Sequence, residues 1–245
     1  MPRVLRSTVV RAASVTLVPV PDVATADDIA LLSPDERARA ARFHVDAPRA
    51  AFVTSRAALR RMLGTALRCD PDGLRISIDA NGRPFLEGPG DELPDFNVSH
   101  SGALAAIAIA YGGRVGVDVE WAGRLRGLRE LVPEVMGVRE AARLRTLDGP
   151  EFTRAFLECW TRKEALVKGI GIGIAYPLRS IDIPTLDGDR AERVALDHDS
   201  VWTVRTISPQ MDYTLSVALA GEPDAAGRPD ELDATSWWSS GSAAP

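Results

Sequence analysis

The stretch Ala103-Leu104-Ala105-Ala106-Ile107-Ala108-Ile109-Ala110-Tyr111-Gly112-Gly113-Arg114-Val115-Gly116-Val117-Asp118-Val119-Glu120 decides how this chain divides. Ala103–Ala110 is an unbroken run of small apolar residues, the pattern of a buried strand. Gly112-Gly113 is a turn signal. Val115–Glu120 then reads as a new strand. Successive side chains of a strand alternate faces, so Asp118 and Glu120 project to one side and Val117 and Val119 to the other. The seam between two structural halves falls at the glycine pair.

Outward from the seam toward the N-terminus, Phe96-Asn97-Val98-Ser99-His100 leads into the apolar run, and Ser14–Val20 reads as a first strand. Between them, Ser33-Pro34-Asp35-Glu36 is a helix start: a serine cap, proline at the first position and acids in the first turn. Arg37–Phe43 continues it. A second helix spans about Pro48–Leu67, with Phe52, Leu59, Met62, Leu63 and Leu67 at helical spacing and Arg56, Arg60 and Arg61 riding on it. Leu74–Ile78 reads as a strand, Asn81-Gly82 as a hairpin turn, and Arg83-Pro84-Phe85 as the return. Toward the C-terminus, Val138–Leu147 and Glu151–Lys168 read as helices, and Arg179–Ile183, Val201–Ile207 and Tyr213–Ala220 as strands. From Gly221 the chain is rich in Pro, Asp, Ala, Ser and Gly and is expected to be poorly ordered; Trp237 and Trp238 stand out in it. The fold class is α+β: two similar halves, 1–113 and 114–220, with a tail over 221–245. No residue-level repeat is visible between the halves.

With 245 residues, 45% of them hydrophobic and 26% charged, the chain has the balance of a globular protein. Its net charge of −5 argues against nucleic acid as a partner, so any anionic ligand must be met by a local basic cluster. Two cysteines, Cys69 and Cys159, form neither a disulfide framework nor a zinc site. Arg3, Arg6 and Arg11 interrupt the apolar stretches at the N-terminus, and no run reaches bilayer length. A cytoplasmic protein without membrane contact is expected. Of 29 basic residues only two are lysines, Lys163 and Lys168, and both fall in one six-residue window. Arginine keeps its proton, whereas lysine carries a compact and titratable charge, so this window has the character of a site.

Three segments bear chemistry. Asp118 and Glu120, side by side on one strand face, repel unless a cation or base lies between them, and hard oxygen ligands suit Mg²⁺. Trp160, Glu164 and Lys168 recur at i, i+4 and i+8 on one helix face. Gly169, Gly171 and Gly173 follow the lysine instead of preceding it, which excludes a P-loop. Asn97-Val98-Ser99-His100-Ser101 is a short polar run able to present an imidazole and backbone N–H groups to a phosphate; no G-x-S-x-G elbow accompanies it.

In the order N-x-S-H-S, G-x-D-x-E, W-x-x-K-E-A-x-x-K, these segments resemble the 4′-phosphopantetheinyl transferase superfamily, in its surfactin-synthetase-activating type, over roughly Leu31 to Ala220. Leu32-Ser33-Pro34, Gly82-Arg83-Pro84 and Gly169–Gly173 fit as well. The resemblance implies a pseudo-symmetric monomer with coenzyme A in the cleft between its halves. It implies transfer of the phosphopantetheine arm to a serine of an apo acyl or peptidyl carrier protein, the holo-[acyl-carrier-protein] synthase reaction, with release of 3′,5′-ADP. It implies Mg²⁺, with Mn²⁺ as a substitute, on Asp118, Glu120 and Glu164. Glu164 is implied as the general base, directly or through a metal-bound water, and Lys168 as the group stabilising the leaving phosphate. Arg39, Asn81, Gly82, Arg83, Asn97, Ser99, His100, Lys163 and Lys168 are implied around the nucleotide and diphosphate. The family often carries a second basic residue three positions before Arg39; here that position is Glu36. Arg124, Arg126 and Arg129, interleaved with Leu125 and Leu128, are read as a docking segment for an acidic carrier. Two rival readings use the same residues: a Mg²⁺-dependent hydrolase of coenzyme A or a related diphosphate, and an inactive carrier- or nucleotide-binding module.

Overall fold

The computed structural model describes residues 13–88, 93–124, 127–172, 176–183, 192–195, 201–210 and 212–220. The apolar run is strand β5 (Leu104–Ala110), buried at all seven positions. It lies between β1 (Ala13–Pro19) and β4 (Asp95–Ser101) in an antiparallel sheet of order β1-β5-β4. Beyond the glycine pair, β6 (Val115–Trp121) opens a second antiparallel sheet of order β6-β9-β8-β7, with β7 (Glu192–Ala195), β8 (Val201–Gln210) and β9 (Tyr213–Ala220). In both sheets the half's first strand pairs with its last, which pairs in turn with the strand before it. The polar run before β5 is itself strand β4. Gly82, at φ +86°, turns the separate hairpin of β2 (Ile76–Ile78) and β3 (Pro84–Leu86).

Helices follow each opening strand. The first half has α1 (Ala26–Leu31), α2 (Pro34–Ala40) and α3 (Asp46–Leu67); the second has α4 (Leu128–Val135), α5 (Val138–Leu144) and α6 (Gly149–Ile170). Ser33 caps α2 as its sequence requires: its side chain accepts from Glu36 N, and the Glu36 carboxylate accepts from Ser33 N at 2.8 Å. Arg179–Ile183, expected as a strand, instead opens with a 3₁₀ turn at Leu178–Ser180 after Pro177. Proline fixes φ and donates no ladder hydrogen bond, so the segment starts as a turn. Trp237 and Trp238 lie outside the described residues.

The halves repeat a device that no sequence identity reveals. α3 and α6 are each 22 residues long, and the fifteenth residue of each is a fully buried cation, Arg60 or Lys163. Each cation meets the glutamate at the third position of the preceding short helix. Arg60 Nε donates to Glu36 Oε2 at 2.7 Å, and Lys163 Nζ to Glu140 Oε2 at 2.5 Å. Carbonyls take further protons: Pro71 and Leu74 from Arg60 Nη1, and Val135 and Leu178 from Lys163 Nζ. A buried charge is tolerable only when paired and hydrogen-bonded in this way.

One apolar cluster joins the sheets, with Val15, Leu104, Ala106 and Ala108 of the first packed with Val117, Val119, Leu215 and Val217 of the second. α6 lies close on β6. A Cβ at Gly116 would come within 1.9 Å of the Ala165 carbonyl oxygen, so only glycine permits the approach.

Candidate active site in the cleft between the halves

Asp118 and Glu120 lie on one face of β6, as strand alternation requires, and Trp160, Glu164 and Lys168 lie on the facing side of α6. With Ser99 and His100 of β4 they line a cavity of about 550 Å³, which Glu134, Tyr176, Pro177 and Leu178 also line. The cavity draws β4 from one half and β6 and α6 from the other.

Its charges are uneven. Lys168 Nζ donates to Asp118 Oδ1 at 2.5 Å and to Ser99 Oγ at 3.0 Å, and Ser99 Oγ donates to Asp118 Oδ1 at 2.9 Å. Asp118 Oδ2 is buried without a hydrogen-bond partner. Burial pushes the Glu164 carboxyl above its usual range, as do Asp118 and Glu120, against Lys168. Burial also raises Glu120, reinforced by Asp118 and opposed by the Ser101 hydroxyl and Lys168. The Trp160 indole N–H is near enough to favour the Glu120 anion, yet it meets no acceptor in hydrogen-bonding geometry. Asp118, Glu120 and Glu164, with Glu134 as a fourth acid on the lining, thus face one ammonium.

This surplus answers whether a cation fits. Among the described residues, no three His, Cys, Asp or Glu side chains converge as a finished metal cluster. The orphaned Asp118 oxygen and the two raised glutamates nevertheless form a donor set short of positive charge. Mg²⁺ needs only one or two carboxylates beside phosphate and water oxygens, so Asp118, Glu120 and Glu164 suit it in chemical type.

The polar run on β4 has a second task. β6 is an edge strand whose outer N–H groups face β4, and side chains of β4 accept them in turn. Asp95 Oδ2 takes Val115 N at 2.7 Å, Asn97 Oδ1 takes Val117 N at 3.0 Å, Ser99 Oγ takes Val119 N at 3.3 Å, and Ser101 Oγ takes Trp121 N at 3.1 Å. Side chains thus stand where a neighbouring backbone would otherwise complete the ladder.

Two family models match the chain: "4'-phosphopantetheinyl transferase, N-terminal" over residues 22–111 and "4'-phosphopantetheinyl transferase superfamily" over residues 114–218. The 4′-phosphopantetheinyl transferase HetI of Nostoc sp. is 33% identical over 205 residues, covering 82% of this chain and 84% of the relative. The chain belongs to the 4′-phosphopantetheinyl transferase superfamily. A phosphopantetheinyl transferase of Thraustochytrium sp. is 30% identical, covering 79% of this chain and 72% of the relative. A 4′-phosphopantetheinyl transferase of Bacillus subtilis is 25% identical, covering 80% and 85%. The reaction of this transferase is the passage of the 4′-phosphopantetheine arm from coenzyme A to a serine of an apo carrier protein.

Several residues expected around coenzyme A in this transferase stand elsewhere. Lys163 is wholly buried, its ammonium is held by Glu140 and two carbonyls, and it does not line the cavity. Arg83 is buried, and its guanidinium donates to Asp95 Oδ2, to the Phe96 and Val115 carbonyls and to the Lys168 carbonyl, tying the seam between the halves. Asn97 is buried, and its Oδ1 serves the β4–β6 ladder. These three act in the scaffold because their polar atoms are already engaged there. Glu36, which departs from the family pattern, is the buried partner of Arg60. Arg39 is exposed with its guanidinium 5.1 Å from the Phe52 ring centroid, and Asn81 and Gly82 are exposed on the hairpin; none of them lines the cavity. Arg129 is engaged by Asp148, the Leu147 carbonyl and the Phe152 ring. Arg126 and the Arg124 side chain lie outside the described residues.

Sequence reading missed Glu134 and Ser101. No spacing signals Glu134, which reaches the cavity from α4. Ser101 closes the N-x-S-H-S run, and the alternation Asn97, Ser99, Ser101 was its available signal.

Proposed function

We propose that this protein is a Mg²⁺-dependent phosphopantetheinyl transferase of the surfactin-synthetase-activating type, serving carrier proteins of secondary metabolism in the cytoplasm. The supporting observation is the meeting of Asp118, Glu120, Glu164 and Lys168 with Ser99 and His100 on one cavity wall. Asp118, Glu120 and Glu164 would hold the metal, which when bound would offset negative charge on the coenzyme A diphosphate.

The remaining steps belong to the chain's own groups. Ser99 and His100 orient the diphosphate from β4. Glu164 accepts the proton of the carrier serine as its oxygen attacks the phosphorus bearing pantetheine. Glu164 faces the cavity between Asp118 and Lys168, within reach of a hydroxyl brought to the diphosphate. As the new P–O bond forms, the bond to 3′,5′-ADP breaks, and Lys168, released from Asp118, stabilises the departing phosphate. Arg39 meets the 3′-phosphate from outside the cavity, and Arg124 and Arg126 meet the carrier.

The test is to incubate the protein with coenzyme A, Mg²⁺ and a panel of apo carriers and weigh the products. A gain of one phosphopantetheine, lost with EDTA and in Glu164→Gln, supports the reading. Phosphate release without a carrier, faster than transfer, overturns it in favour of a hydrolase.

A further inference from the structure

The β4–β6 ladder is built from two kinds of rung. At Asp95 and Asn97 the side chain accepts a backbone N–H of β6. At Ser99 and Ser101 the rung also reaches an acid of the cavity. Ser101 Oγ accepts from Trp121 N at 3.1 Å and donates to Glu120 Oε2 at 2.8 Å; Ser99 Oγ accepts from Val119 N and donates to Asp118 Oδ1. Both serines are buried, Ser101 to 1% exposure. A hydroxyl has one proton and two lone pairs. Once a lone pair is engaged by a fixed backbone N–H, the range open to the proton narrows toward the carboxylate of the residue before that N–H. The strand period of two brings each acid and the following N–H to the same serine.

We infer that Ser101 is a positioning residue that aims the Glu120 carboxylate into the cavity, with Ser99 doing the same for Asp118. Ser101 does not line the cavity, so it acts only through Glu120. Outer hydrogen bonds of this kind orient carboxylate ligands and tune their affinity for a cation. The inference rests on the reading of Asp118 and Glu120 as cation ligands.

The test titrates the full-length protein with Mn²⁺ in the presence of coenzyme A and follows free Mn²⁺ by electron paramagnetic resonance. Wild type and Asp118→Ala come first: a site present in one and lost in the other establishes the ligand reading, and no difference between them overturns that reading together with the inference. Given the site, Ser101→Ala is expected to raise the Mn²⁺ Kd by about 10-fold. Ser101→Thr, which keeps the hydroxyl, is expected to restore it to within about 3-fold of wild type. Activity of Ser101→Ala should recover at high Mg²⁺, moving the metal requirement and not the saturated kcat. Asn97→Ala removes a rung without a cavity acid and serves as the stability control: a lower Tm with an unchanged Kd. If Ser101→Ala does not fold, Ser101→Cys replaces it, since a thiol fills the space and donates weakly. A Kd equal to wild type in the folded variant overturns the positioning role, as does a Kd that rises equally in Asn97→Ala.

Discussion

The cleft between β6 and α6 has a counterpart between β1 and α3. That second cavity, of about 560 Å³, is lined by Thr16, Val18, Ala58, Arg61, Met62 and Thr65 among others. Position for position the two correspond: the fourth and sixth residues of the opening strand are Thr16 and Val18 in one half, Asp118 and Glu120 in the other. The sixteenth and twentieth residues of the long helix are Arg61 and Thr65, against Glu164 and Lys168. The same scaffold thus carries a largely apolar wall in one half and three acids with a lysine in the other. The difference lies in what stands beside the opening strand. β6 has β4 along its outer edge, supplying serine hydroxyls to its carboxylates; among the described residues no strand pairs with the outer edge of β1. Closely spaced acids persist where donors and cations are fixed around them. Arg61, turned to Asp28 at 2.7 Å, has become part of the first half's own packing.

The comparison breaks most visibly in activity. Glu164→Gln is expected to slow carrier modification by about 10³-fold, while Arg61→Gln, at the matching helical position, leaves it within about 2-fold of wild type. Single-turnover transfer followed by mass spectrometry checks both, and an equal loss in the two would mean that the first half's cavity also serves the reaction.

Stability probes the shared device. Removing the anion from either buried pair strands a cation in the core, so Glu140→Ala and Glu36→Ala should each cost about 3–5 kcal/mol in urea unfolding. Arg56, 3.5 Å from the Glu36 carboxylate, loses the same anion, so a much smaller loss for Glu36→Ala would show that the two pairs are not equivalent.

The strand–helix approach offers a smaller effect. At the second residue of the opening strand, Gly116→Ala drives a methyl group into the α6 backbone and should cost about 1–3 kcal/mol. Ser14→Ala, at the matching place in β1, should stay within about 0.5 kcal/mol. Thermal unfolding separates them.

Thiol chemistry gives the finest contrast. Cys159, at the eleventh position of α6 where α3 has Arg56, is buried, and burial pushes its thiol up to about 12, with Glu140 adding to the rise. A raised thiol pKa leaves little thiolate near pH 8 and more as pH climbs toward that value. Iodoacetamide at pH 8 should therefore label the exposed Cys69 and spare Cys159 until the protein is unfolded. Rapid labelling of native Cys159 would show that α6 opens locally.

Much of the architecture was legible because it follows from short-range rules. Ser33-Pro34-Asp35-Glu36 capped a helix, Asn81-Gly82 turned a hairpin, and the run ending at Ala110 was the buried strand. The i, i+4, i+8 spacing of Trp160, Glu164 and Lys168 brought all three to one cavity wall. The repeat between halves was not legible, because Arg60 and Lys163 do the same work with different residue types. Arg179–Ile183 has strand-like composition, but Pro177 and the turn after it decided otherwise. Among the described residues no helix is long and apolar enough to cross a membrane.

Local periodicity and residue chemistry by themselves determined the α+β class and the pairing of Asp118 with Glu120 on one face. Only the tertiary structure decided which of the two lysines meets the cavity. Lys163 and Lys168 lie five residues apart on one helix, at 100° of rotation per residue roughly opposite each other. One is enclosed against Glu140 and two carbonyls, and the other reaches across to Asp118. Tertiary packing likewise turned Arg83 and Asn97, ligand-like in sequence, into ties across the seam. A side chain's partners are set by which elements pack against it, and those elements come from distant parts of the chain.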